Sequence, residues 1–122
     1  MTLTKLMIQR LFVVYLVTVL ILHVMKTDDV VDLNNFLLGI RMDHWTHGIL
    51  FSPMGFFALT SFSNNIRLAF GIIVFCCLFF EILQYFIPYR SFDVWDIVAD
   101  SIGASIGILF YYGFRKWLLG QV

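Results

Sequence analysis

Four long apolar runs, parted by short polar stretches, restrict this chain more than any other feature. They lie at about residues 7–25, 44–62, 66–87 and 96–119, and a helix that crosses a bilayer needs about 20 mostly apolar residues. A helix satisfies its backbone groups internally, as hydrocarbon demands. The expected fold is therefore all-α, a four-transmembrane-helix bundle forming one domain over residues 1–122. Composition agrees. With 61% hydrophobic and 13% charged residues and a mean hydropathy of +0.90, the chain is too apolar for a soluble domain of its size. A formal net charge of zero gives no reason to expect a nucleic-acid partner.

Taken in order, Lys5 and Arg10 are followed by the uninterrupted apolar stretch Leu11 to Met25, and Lys26-Thr27-Asp28-Asp29 comes next without a small-x-small cleavage pattern. It reads as an uncleaved helix rather than a signal peptide. His23, near its end, reads as an interfacial residue. Next, Val30, Leu33, Leu37 and Ile40 recur at helical spacing, with Asp28, Asp32, Asn35 and Gly39 opposite. This suits a short interfacial helix over about residues 30–40; a solvated loop over the bundle is the alternative. Pro53 and Gly55 interrupt the second run, where a kink is expected. Ser63-Asn64-Asn65 forms a turn, and Pro88 stops the third run. Cys76 and Cys77 are adjacent in an apolar run, with no metal-type spacing, and are expected to be buried bystanders.

Lysines and arginines set the expected orientation. With the N-terminus inside, the inner flanks hold Lys5, Arg10, Arg67, Arg115 and Lys116, against Lys26, Arg41 and Arg90 outside. Both termini are thus expected in the cytoplasm. All the acidic residues then fall in the outer loops or the outer halves of helices.

The polar residues left inside the runs form a pattern. Asp43 and His47 share a face at the start of the second run. Glu81 and Gln84 share one near the end of the third, Arg90 follows in the turn, and Asp93, Asp96, Asp100, Gly103 and Gly107 make one stripe along the fourth. A charge at a bilayer centre costs roughly 2.5–3.5 kcal/mol, so these groups are expected to turn toward one another at a common outer depth. Gly103-x-x-x-Gly107 is expected to let a neighbouring helix approach closely.

Asp43-x-x-x-His47, Glu81-x-x-Gln84, Pro88-x-Arg90 and Asp96, followed by a small-residue helix with Gly103 and Gly107, resemble the VanZ-like family of small bacterial membrane proteins. The ordered set spans Asp43 to Gly107, roughly half the chain. This chain has Asp100 where the family pattern often has Asn, and His44 where it often has Lys. The resemblance implies a multi-pass protein of the bacterial cytoplasmic membrane with a cell-envelope role. The family's namesake is associated with resistance to teicoplanin, a lipid-tailed glycopeptide.

Several readings of Asp43, His47, Glu81, Gln84, Arg90, Asp96 and Asp100 stay open. They can form a recognition site for a lipid-linked cell-wall precursor or a lipoglycopeptide, with Phe86, Tyr89, Phe92 and Trp95 as an aromatic belt. They can instead be a structural polar knot in an accessory membrane subunit, closed by Arg90 on a carboxylate. In a third reading His47 is the general base of a hydrolase acting on lipid headgroups, where a His-and-carboxylate set can also hold a divalent metal. No nucleophile elbow, HExxH or phosphatase signature occurs. Proton-coupled transport is a fourth, and would call for an oligomer of so small a bundle. No cofactor is expected and no residue is assigned as a metal ligand; membrane lipid is the expected surrounding partner.

Overall fold

Side-chain caps and turn residues set where the helices of this chain begin and end. The structure, a computed structural model, describes residues 3–26 and 32–120. Helix α1 covers Leu3–Val24; strands β1 (Phe36–Leu37) and β2 (Ile40–Arg41) form a small ribbon; α2 covers Met42–Ser61, α3 Ile66–Tyr85 and α4 Val94–Leu119. The Asn65 side chain caps α3 by accepting from the Leu68 amide at 3.1 Å. Asp93 caps α4, taking the Trp95 amide at 2.9 Å, so this helix starts two residues before the expected Asp96. Short turn bonds from Phe86 to Leu83 and from Ile87 to Gln84 end α3 at Tyr85 rather than residue 87.

The interfacial helix expected over about residues 30–40 is absent from the described part of that segment, and Val30 lies outside the described residues. Asp32 accepts from the Asn34 amide at 3.1 Å, a local turn that competes with helix. Leu38 (φ 54°) and Gly39 (φ 78°) are both left-handed, which folds the chain into an antiparallel ribbon pairing Phe36 with Arg41 and Leu37 with Ile40. Met42 donates to the Asn35 carbonyl at 2.8 Å and extends the pairing into the start of α2. Apolar residues spaced for a helix therefore serve a hairpin, because Gly39 and the Asp/Asn cluster favour turns.

Among the described residues, three helices are long and apolar enough to cross a membrane: Leu3–Val24, Ile66–Tyr85 and Val94–Trp117. Helix α2 is more polar, and its position explains why. It packs against α1, α3 and α4 and buries His47, Phe51, Met54, Gly55, Ala58, Leu59 and Ser61. A helix surrounded by protein needs less apolar surface than one surrounded by lipid. It runs unbroken through Pro53. Proline leaves the Ile49 carbonyl without its helical donor, and the Ser52 hydroxyl supplies one at 2.9 Å.

Helices adjacent in sequence run antiparallel, whereas α2 and α4 run parallel, with Gly48 facing Gly103 and Ser52 facing Gly107. Near one end Gln9 donates to the Ser61 carbonyl and Lys5 to the Ser63 hydroxyl; near the other His23 meets His47 and Gln84. The core joins Phe12 and Val19 of α1, Phe51, Met54 and Leu59 of α2, and Ile73, Cys76, Cys77 and Phe80 of α3. Both cysteines are buried and free. Outward faces are apolar, including Leu11, Val14, Phe75, Phe79, Leu109 and Phe110.

Helices α2 and α4 form the closest pair. A methyl group on Gly103 would overlap the Gly48 carbonyl, one on Gly107 the Ser52 carbonyl, and one on Gly55 the Ala104 carbonyl. The small residues on α4 therefore receive α2, with Gly48 and Gly55 answering from the other side.

Candidate functional site

All four helices bring polar groups to the end of the bundle where α1 and α3 finish and α2 and α4 start. His47, one turn into α2, is the centre. Its Nδ1 lies 2.9 Å from Asp100 Oδ1 and its Nε2 3.6 Å from Asp96 Oδ2. Asp96 and Asp100 stand four apart on α4, so one face of that helix presents both to α2. His47, Asp96, Asp100, Glu81, Gln84 and His23 are each no more than 3% exposed.

A more open ring of charge surrounds this centre. Arg41 reaches Asp43 at 3.1 Å and Asp93 at 3.4 Å, while His44 lies 3.3 Å from Asp93 and 3.5 Å from Asp96. Arg90 stands 3.9 Å from Asp43 and donates to the Met25 carbonyl at 3.2 Å. Burial works against ionisation of Asp93, but the Trp95 amide, the His44 ring and Arg41 together hold its carboxyl below the ordinary carboxylate range. Glu81 Oε1 accepts from the Asp93 amide at 2.7 Å and so ties α3 to the start of α4. Gln84 donates to the His23 carbonyl at 3.4 Å, tying α3 to α1.

The seven expected site residues therefore all lie at this end, in different roles. Asp43, His47, Asp96 and Asp100 make one cluster; Glu81 joins it through the Asp93 backbone, Gln84 through His23, and Arg90 through Asp43. His23 corrects its expectation: it is not interfacial but buried, stacked on Phe80 at 4.9 Å and edge-on to His47 at 5.0 Å. The signal for it was positional, since a histidine at the C-terminal end of the first run lies at the same level of the bundle as His47 and Gln84. Arg41 and His44 also belong here, although the first reads from sequence only as an orientation charge.

Two hollows flank α2. A cavity of about 140 Å³ lies on the α1 and α3 side, touching His23, Asp43, His47, Gln84 and Arg90. A groove of about 750 Å³ runs between α2 and α4 under the ribbon. Gly48, Ile49, Val98, Ile102 and Ile106 line its apolar length, while Arg41, His44, Trp45 and Trp95 stand at its polar end. Asp96 thus backs both hollows, through His44 at 3.5 Å on one side and His47 at 3.6 Å on the other.

Apolar outer faces, three helices able to cross a membrane and a buried histidine–carboxylate cluster at one end define a small α-helical protein of the membrane class. The chain belongs to the VanZ/LLP1 family, whose family model matches residues 10–117. No curated protein and no solved structure matches it.

Proposed function

We propose that this chain is a four-span protein of the bacterial cytoplasmic membrane, both termini in the cytoplasm, that binds a lipid-linked cell-wall precursor at its outer face. The observation that carries the reading is the groove between α2 and α4. It is apolar along its length and ends at Arg41 and His44, with Trp45 and Trp95 beside them. Ligand sites of this kind are largely apolar with a few convergent polar groups. A long hydrocarbon tail fits the apolar part, and a phosphate-bearing head fits the guanidinium and imidazole, since Arg matches phosphate geometry in a bidentate way. The tail enters sideways from the bilayer, so the precursor need not leave the membrane.

A polyisoprenyl-phosphate-linked precursor with a fluorescent head, titrated onto the protein in nanodiscs, tests the reading. Ala99→Trp, which fills the groove, and Arg41→Ala are each expected to weaken binding about tenfold or more, the equivalent of roughly 1.4 kcal/mol. Equal binding by wild type and both variants would sink the proposal. Binding of a fluorescent teicoplanin-type lipoglycopeptide in place of the precursor would move the proposal from precursor to drug. A role in teicoplanin-type resistance belongs to the same proposal and is read as the growth-inhibiting drug concentration with and without the chain.

A further inference from the structure

We propose that His23, His47 and Asp100 form a binding site for a zinc-type divalent metal ion. One potential ligand atom from each residue lies within 4.8 Å of the others, and all three side chains are buried. Two imidazoles and one carboxylate are a ligand set that zinc and its first-row neighbours prefer. Around a zinc ion, with bonds of roughly 2.0–2.2 Å, such a set contracts modestly from its present spread.

The unused atoms point the same way. His23 Nδ1 lies 2.8 Å from the Val19 carbonyl, which can only accept, so Nδ1 carries the ring proton and Nε2 holds a lone pair. That Nε2 is buried and has no hydrogen-bond partner among the described residues, at 2% exposure of the whole residue. Asp100 Oδ2 is buried and unpartnered in the same way. Buried polar atoms of this kind call for an explanation, because leaving one unpaired costs about 1–3 kcal/mol.

Both histidines also carry the support that metal-bound imidazoles need. His23 is oriented by a backbone carbonyl, and His47 turns Nδ1 to Asp100 while Nε2 faces Asp96 at 3.6 Å. Carbonyl and carboxylate partners on the far ring nitrogen are the usual way in which a ligating histidine is held. Binding places the ion where the proton between His47 Nδ1 and Asp100 now lies; the ring stays neutral with its proton on Nε2, toward Asp96, so the displaced proton moves to Nε2 or, where Nε2 already holds one, to solvent. Two neighbouring sets, Asp43–His47–Asp96 and His44–Asp93–Asp96, are less suited. Each offers a single imidazole, and their carboxylates are engaged by Arg41, Arg90 and His44. Three protein ligands leave a position for water or another donor. The 140 Å³ cavity, which touches both imidazoles, is where that position would open.

The test needs no lipid, so its outcome is independent of the precursor proposal. Detergent-purified, tag-free, EDTA-stripped protein is titrated with ZnCl₂ and, separately, CoCl₂. The expected result is about one ion per chain with visible cobalt bands from a low-symmetry nitrogen–oxygen site. His23→Gln and Asp100→Asn are expected to abolish zinc retention, and Asp96→Asn to weaken it roughly 10–100-fold. Should those variants fold poorly, His23→Cys decides, because a thiolate–cobalt charge-transfer band that wild type lacks appears if residue 23 is a ligand. Wild-type protein that retains no zinc, or a His23→Cys variant that binds cobalt without that band, overturns the site. So does loss of zinc in His44→Ala with retention in His23→Gln, which would assign the ion to the neighbouring set.

Discussion

Glu81 carries a carboxylate into the joint between α3 and α4, where one oxygen takes the Asp93 amide and the other is buried without a partner among the described residues. The first oxygen has a structural task that an amide side chain can also perform. Glu81→Gln is therefore expected to keep folded yield and thermal stability near wild type. Glu81→Ala leaves the Asp93 N–H without its acceptor and is expected to destabilise by about 1–3 kcal/mol, read by thermal unfolding in detergent. Equal stability of the two variants would show that this bond does not hold the joint. Asp93 is the more connected residue, since its backbone meets Glu81 while its side chain caps α4 and pairs with Arg41 and His44.

At the scale of elements, the α2–α4 pair sets the geometry of everything polar. Its backbones approach so closely that a single added methyl group meets a carbonyl of the facing helix at Gly103, Gly107 or Gly55. That closeness puts Asp96 and Asp100 against His47, and a separation of the two helices would pull the cluster apart. Gly107→Leu is expected to destabilise by about 1–3 kcal/mol through overpacking against Ser52. Gly113→Ala is the control, because nothing lies within 4 Å of its added methyl. Thermal unfolding of both variants checks this, and a neutral Gly107→Leu would mean that the helices part without strain. The ribbon is the second informative element. It roofs the groove through Phe36, Gly39 and Ile40 and delivers Arg41 to its end, a task that an interfacial helix would not perform.

Across the whole molecule, acidic side chains are segregated along the bundle. Asp43, Glu81, Asp93, Asp96 and Asp100 gather at one end, while Lys5 lies beside the α2–α3 turn at the other. The proposed orientation has a direct check. In intact cells, a membrane-impermeant maleimide is expected to label Ser91→Cys in the α3–α4 connection and to spare Ser63→Cys in the α2–α3 turn. The buried native cysteines should not react. The reverse pattern would invert the topology and place the site in the cytoplasm.

How much of this was legible depends on whether the signal is local or arises from packing. Apolar run lengths, the stripe from Asp93 to Gly107 and the Gly103-x-x-x-Gly107 spacing are properties of neighbouring residues, so four helices and the faces that carry acid follow from residue order alone. The register between helices is not local. Packing between helices places α2 inside the bundle, sets Gly48 and Gly55 against the small residues of α4, and turns His23 inward to His47. The same holds for the ribbon, where two left-handed residues outweighed a helical spacing of apolar side chains. A side chain's sequence neighbours say which face of its own helix it occupies, but what that face meets is set by how closely the backbones can approach.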